Sequence, residues 1–476
     1  MKSFRFAGFY ILAVFLSAAA PAFAQSNSSL PSPSDVINPS PYAGSVPGAP
    51  VQGVLPLSLE SAIDRGLKQN LGAMLANEDI RAARGERWKQ LSALLPNTSV
   101  SSYVDGSKVS LAEYGFNFNV PGFNFPSVVG PFGYFDSRFN FSQSLFDWNA
   151  IQKTRSSTES LKAAQYTYKD ARDLVVLAVG YTYLQGIADE ARIETAVAQV
   201  KSAQAVYDQA SEQVKAGTSP AIDALRAQVE LKTRQQQLIQ ARNDYAIQKL
   251  RLARVIGLAP GQEFDLTDKS PYAPLEGITV EEAEAKAYAS RSDFQAALAK
   301  VRAAQYSRRA ATAEHFPTLS ASADVGAAGA YNTLQTNGVF DVRGTVNIPI
   351  FAGGHTHGDV LQAEAQLRQS REQLENLRSQ IDADVRTALL NLESSSEQVL
   401  VAKDNIDLAQ QTLTQSRDRF TAGVTDTVEV VQAEEAVASA NENYISSLYN
   451  YNYAKISLAR ALGLAEEGVK EYFKGH

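Results

Sequence analysis

The 476-residue chain has no cysteine, two methionines and four histidines. Without cysteine there is no disulfide framework, thiolate zinc site, iron–sulfur cluster or cysteine nucleophile, and no acylated N-terminal cysteine of the lipoprotein kind. Two methionines and four histidines give no sign of a soft-metal relay. The sequence holds no G-x-S-x-G, no P-loop and no H-E-x-x-H motif. We therefore expect no enzyme, no cofactor and no resident metal. His355-Thr356-His357 is the one candidate ligand pair; its spacing beside Gly353-Gly354 suits a turn better than a helical site. A net charge of −7 lacks the basic excess that nucleic acid requires. A mean hydropathy of −0.21 excludes a bundle of apolar membrane helices, but a β-barrel leaves almost no hydropathy signal.

What is present begins with an export signal. Lys2 and Arg5 precede the apolar run Phe6 to Leu16, which is too short to cross a membrane as a helix. Ala22-Phe23-Ala24 offers cleavage between Ala24 and Gln25, so residues 1–24 read as a signal peptide. Its removal takes the net charge from −7 to −9. Residues 25–56 carry seven prolines among Ser, Gly and Asn and read as an extended tether.

An internal repeat organises the rest. Residues 57–96 align without gaps on 278–317, and the following alternating stretches align at an offset of 205, placing Asp136-Ser137-Arg138 on Asp341-Val342-Arg343. VKAGTSPAIDAL (214–225) matches FTAGVTDTVEVV (420–431), and LARVIGL (252–258) matches LARALGL (458–464). The reading is two copies, 57–258 and 278–464, joined by 259–277 and followed by a tail, 465–476. Each copy is helix, strand pair and helical hairpin: strands at about 98–145 and 318–350, hairpins at 147–256 and 353–462.

The strands alternate with a period of two. Leu319, Ala321, Ala323 and Val325 oppose Thr318, Ser320, Ser322 and Asp324; Val342, Val346, Ile348 and Ile350 oppose Asp341, Arg343, Thr345 and Asn347. Each strand thus has one apolar and one polar face over about ten residues, the length of a tilted transmembrane strand. Twelve of the 35 residues from Tyr114 to Trp148 are aromatic, which favours a membrane girdle over the core of a soluble sandwich.

The helices are too long for a compact domain. Residues 147–215 and 353–421 each span 69 positions without proline, about 100 Å at 1.5 Å per residue. Val385, Ala388, Leu392, Ser395, Val399, Ala402, Ile406, Ala409, Leu413, Ser416 and Phe420 step by three and four, as do Val430, Ala433, Val437, Ala440, Tyr444, Ser447, Tyr451, Ala454, Leu458 and Ala461. These are coiled-coil seams, but small and polar ones, so each helix needs neighbours on both flanks. Ala216-Gly217-Thr218 and Ala422-Gly423-Val424 mark the reversals. Gly180 and Gly186 mark either a kink or a close helix contact.

A tandem unit of this kind resembles the TolC-type family of outer-membrane efflux and secretion channels. The resemblance spans about 57–464 and rests on PIFAGG (349–354), the strand entries LPNTSV (95–100) and FPTLSA (316–321), and the AGV tip (422–424). It implies an α+β membrane protein with four transmembrane strands and long coiled-coil helices per chain. A homotrimer would then form a 12-stranded barrel in the outer membrane, continued by a periplasmic helical tunnel. Trimerisation suits four strands, which cannot hide their own edges from lipid. The implied partners are a periplasmic adaptor (membrane fusion) protein, an inner-membrane pump of RND, ABC or MFS type, and outer-membrane lipid. The short helices 57–94 and 278–315 would continue the shorter hairpin arms.

The resemblance also implies site residues. The tips Ala216, Gly217, Thr218, Ala422, Gly423 and Val424 would meet the adaptor. Asp223, Phe420, Thr425, Asp426, Glu429 and Gln432 would form a periplasmic gate. Thr425 stands where some members place an Arg that pairs with the acid at Asp223, so that latch is not reproduced. Of two acidic rings in the family's pattern only Glu429 remains, Gln432 replacing the other. Asp223 and Glu429 read equally well as helix-start acids. Two functions stay open: a passive exit duct, with two hairpins and two strand pairs, and a periplasmic coiled-coil structural or adaptor protein with soluble β-domains.

Overall fold

A computed structural model describes residues 41–50, 52–115, 126–268, 272–275, 277–330 and 335–472. The expected leader, its Ala24–Gln25 cleavage point and Phe116, Phe118, Phe123 and Phe125 lie outside the described residues. In chain order the first copy comprises β1 (Leu55–Leu57), α1 (Leu59–Gln69), α2 (Leu71–Ser92), β2 (Asn97–Ser110), β3 (Val128–Phe146), α3 (Trp148–Lys215) and α4 (Ala221–Ile256). The second comprises β4 (Phe264–Leu266), α5 (Val280–Ser290), α6 (Ser292–Ala313), β5 (Thr318–Ala330), β6 (Gln335–Asn347), α7 (His355–Thr421) and α8 (Thr427–Ala461), followed by α9 (Ala465–Tyr472).

The seams expected in α7 and α8 are where the helices meet. Val385, Val399, Val430 and Leu458 are no more than 1% exposed, and Ala388, Ala402, Ala409, Ala433, Ala440 and Ala454 are also buried. Alanine and serine contribute little apolar area each, so no single seam suffices, and every long helix has several neighbours. α3 packs on α4, α2, α8 and α6, while α7 packs on α8, α6 and α5. Gly180 is a close contact: a Cβ there would lie 2.6 Å from Ile456 Cδ1.

Four features depart from the sequence reading. The helices expected as single pieces, 57–94 and 278–315, break at Asn70 and Arg291, whose ψ angles of 132° and 119° are extended. Each break is held by a buried polar residue. Asn70 donates to Tyr42 O at 2.7 Å and Val255 O at 3.3 Å and accepts from Gly72 N–H; Arg291 pairs with Asp293 and Asp384 at 2.7 and 3.0 Å. Second, the described part of the expected tether is docked, not free. Val46 N–H donates to Gln69 O, Gly48 N–H donates to Gly257 O, and β1 pairs in parallel with β4 across the repeat junction. Its prolines leave enough N–H groups for these edge contacts, and Leu57 enters the core fully buried. Third, the C-terminal tail forms α9, fixed by Glu466 on Arg172 at 2.6 and 2.9 Å.

The fourth is strand length. The strands run to 14, 19, 13 and 13 residues rather than about ten, and β6 ends at Asn347, leaving Ile348 and Ile350 beyond it. They form one antiparallel sheet in the order β2-β3-β5-β6. The register aligns Val100 with Phe139, Phe139 with Val325 and Val325 with Phe340, so one face is apolar from edge to edge. That face is uncovered: Val100 is 71%, Phe340 79% and Val342 76% exposed. Among the described helices none is long and apolar enough to cross a membrane. The sheet is the element suited to lipid.

Candidate functional site

Three places along the molecule carry its chemistry: the hairpin tips, the level where the short helices break, and the membrane sheet.

At both tips the helix ends by the same mechanism. Thr218 N–H donates to Gln213 O and Gly217 N–H to Val214 O; Val424 N–H donates to Arg419 O and Gly423 N–H to Phe420 O. These paired bonds need a left-handed residue after the helix, and Gly217 and Gly423 supply it at φ 74° and 71°. In the first copy Pro220 stands at the N-cap of α4, which starts at Ala221. In the second, the Asp426 carboxylate caps α8, accepting from Val428 N–H at 3.1 Å. Ala216, Gly217, Thr218, Ala422, Gly423 and Val424 are all exposed.

The six residues expected at a gate are brought together only in part. The Glu429 carboxylate accepts from the Thr425 hydroxyl, from Ser416 Oγ at 3.4 Å, and pairs with Arg419 Nε at 3.3 Å. Asp223 is buried and faces Arg226 on its own helix at 3.7 Å. Among the described residues no hydrogen bond or ion pair joins Asp223 to Thr425, Asp426 or Glu429. Phe420 is 4% exposed, packed with Val206, Ala210, Ala227 and Val430 in the core that joins the two hairpins. Gln432 is exposed.

Sequence reasoning missed the polar joint between the hairpins. Glu434 on α8 is 6% exposed and accepts from Ser202 Oγ on α3 at 2.7 Å and from Arg417 Nη2 on α7 at 2.8 Å. Further from the tip, Arg192 on α3 forks onto Glu442 at 2.8 to 3.0 Å and reaches Asp189 at 2.7 Å. Ser202 and Glu434, like Arg192 and Glu442, stand more than 200 positions apart, where no spacing rule pairs them.

Where the short helices break lies a buried charged cluster. Arg460 bonds Asp170 and comes within 3.9 Å of Asp293. Burial pushes the Asp173 carboxyl up to about 6 against the pull of Arg460, with Asp170 adding to the rise. Burial opposes ionisation of Asp293 too, but bonding from Arg291 outweighs it and leaves its pKa lowered. Closer to the sheet, His355 and His357 occupy the first turn of α7, not a loop, because Gly354 at φ 88° starts the helix just before them. His355 Nδ1 lies 3.2 Å from Asp359, and Glu314 completes the metal-type donor group found among the described residues. The side chain of His355 is 73% exposed.

The family model of the outer membrane efflux protein matches residues 72–258 and 285–464. The alkaline protease secretion protein AprF of Pseudomonas aeruginosa is 23% identical over 337 residues, covering 70% of each chain. The pyoverdine export outer membrane protein OpmQ of the same organism is 24% identical over 417 residues, covering 85% of each. In fold, the outer membrane protein VceC of Vibrio cholerae superposes with a TM-score of 0.73 at 18% identity, covering 85% of this chain and 96% of that one. The chain belongs to the outer membrane efflux protein family, the TolC-type channels. It is an outer-membrane protein whose helices extend into the periplasm. Members of this family are channels rather than enzymes, working as homotrimers with an adaptor and an inner-membrane pump, and this chain has that general role.

Proposed function

We propose that three copies of this chain form a passive duct that carries small toxic molecules or secreted polypeptides outward from an inner-membrane pump. The observation that carries this reading is the open sheet. Four strands with an uncovered apolar face and two unpaired edges, β2 and β6, are incompatible with lipid unless further copies complete the barrel. Twelve strands from three chains do so. No energy-coupling motif is present in the sequence, so the drive comes from the pump.

The substrate range draws on relatives whose names describe protease secretion in one case and pyoverdine export in another. In this reading residues 1–24 are a signal peptide, the two copies build one interwoven subunit, and the six tip residues meet the adaptor. Glu429 supplies the gate's acidic ring, with Thr425 and Arg419 orienting its carboxylate. Asp223 and Asp426 set the starts of α4 and α8, Phe420 holds the two hairpins together behind them, and Gln432 completes the rim.

Two measurements test this. Outer-membrane fractions should contain a heat-modifiable trimer, and deletion should sensitise cells in a panel of antibiotics, dyes and secreted proteins; a monomeric periplasmic pool would defeat the duct. In planar bilayers, Glu429→Gln should weaken block by multivalent cations about tenfold, since a three-fold ring of carboxylates focuses negative potential. Unchanged block would remove Glu429 from the gate.

A further inference from the structure

Where α7 runs along α6, carboxylates are answered by arginine: Glu364 takes Arg308 at 2.9 and 3.0 Å, and Asp384 takes Arg291 at 3.0 Å. At the sheet end of the two helices that pattern stops. Glu314 closes α6, His355 stands in the first turn of α7, and Asp359 follows one turn later. Each offers one donor atom, and the three atoms lie within 4.8 Å of one another. Among the described residues neither carboxylate pairs with lysine or arginine. The one ion-pair partner is His355, whose Nδ1 lies 3.2 Å from Asp359.

Histidine is scarce in this chain, yet three of its four, His315, His355 and His357, stand at the two connections that join α6 and α7 to the strand pair β5–β6. Glu314 sits at the C-terminal end of α6, where the helix dipole favours a cation and opposes a carboxylate. Its carboxylate is also oriented from a third helix. Asn149, in the first turn of α3, donates to Ala310 O at 2.7 Å and to Glu314 Oε1 at 3.4 Å, the kind of outer contact that aims a metal-binding carboxylate. The sequence offered His355 with His357, two positions apart. Folding offers His355 with Asp359, four positions on and hence on the same helix face, and brings Glu314 to both from across the strand pair.

We propose that Glu314, His355 and Asp359 bind a borderline divalent transition ion of the zinc class, clamping the end of α6 to the start of α7 where the helices hand over to the sheet. One imidazole and two carboxylates suit such an ion. A tetrahedral ion with bonds of about 2.0–2.2 Å holds its donors about 3.4 Å apart. With one pair already at 3.2 Å and all three within 4.8 Å, small side-chain rotations complete that geometry. Magnesium and calcium call for more oxygen donors than two carboxylates supply, and the chain has no thiolate for a soft ion. The His355 side chain is 73% exposed, which gives ions in solution access and leaves the fourth position to water. All three donors come from one chain, so the site does not depend on the duct reading.

The test is equilibrium dialysis of zinc(II), with magnesium in parallel, against the purified, untagged protein in detergent. One zinc ion per chain should bind at this site. His355→Gln, Asp359→Asn and Glu314→Gln should each weaken that binding about tenfold or more, and His357→Gln should leave it unchanged. Zinc should also raise the melting temperature of the unaltered chain and not that of His355→Gln, because an ion bound only by the folded state stabilises it. Metal-free melting curves show whether each variant is folded; if Glu314→Gln melts early, His355→Gln and Asp359→Asn carry the test. Zinc bound equally by the unaltered chain and His355→Gln, or magnesium bound as tightly as zinc, reduces the cluster to surface acids and overturns the site. A loss in His357→Gln as large as in His355→Gln overturns it too, by moving the ion to the histidine pair. Absence of a heat-modifiable trimer from outer-membrane fractions strikes the duct and leaves the zinc result standing.

Discussion

Asp173 shows how a residue can be legible in sequence yet uninterpretable until its surroundings are known. It sits among ordinary helix residues of α3, and only folding encloses it beside Asp170, Arg460 and Glu466. Its carboxyl, raised by burial from 3.8 to about 6, binds more protons folded than unfolded. The stability it contributes is therefore greatest at low pH and falls as pH rises from about 4 to 6. Asp173→Asn should raise the trimer's stability at pH 7.5 by about 1–2 kcal/mol and flatten that dependence. Melting curves of the detergent-solubilised trimer from pH 4 to 8 check it; an unchanged slope would show that another group sets it. Glu434 teaches the same lesson. Its partners Ser202 and Arg417 come from two other helices, and the heptad pattern marks only which face of α8 is inward.

At the scale of elements, periodicity did most of the work. Eleven seam positions of α7 and ten of α8 were marked by three- and four-residue steps, and all are buried or half-buried in the fold. The reversals at Gly217 and Gly423 were legible because a left-handed position after a helix selects glycine. The breaks at Asn70 and Arg291 were not legible, since neither residue disrupts helix by itself. Tertiary partners impose them: the Tyr42 and Val255 carbonyls for Asn70, two aspartates for Arg291. Gly180 is the element-scale case to test. Gly180→Leu should push α3 and α8 apart at Ile456, cost about 1–3 kcal/mol or more through overpacking, and reduce the yield of heat-modifiable trimer. Ile456→Ala in the same chain should restore part of that yield. A full yield from Gly180→Leu alone would mean the helices do not need this approach.

For the whole molecule, the strands decide where it resides. Their alternation predicted one lipid-ready face, and the register confirms that the apolar positions of all four strands fall together on it. Val342→Arg on that face should lower barrel stability by about 2–4 kcal/mol per chain and deplete the trimer from outer-membrane fractions. Thr345→Arg on the polar face of the same strand should leave insertion intact. Equal loss from both would deny the assigned faces.

The sequence by itself determined the two-fold repeat, the element types, the seams, the tips and the alternating strands, because each is a local or periodic property of the chain. Only the tertiary structure decided which charged residues meet. The joint at Glu434, the cluster around Arg460 and the bridge from Arg138 to Asp324 all join residues remote in sequence, and burial and register, not spacing, bring them within bonding distance. Docking of residues 41–50 and 52–57 belongs with them: a proline-rich segment cannot form a core of its own, but it can complete the edge of one that the repeats have already built.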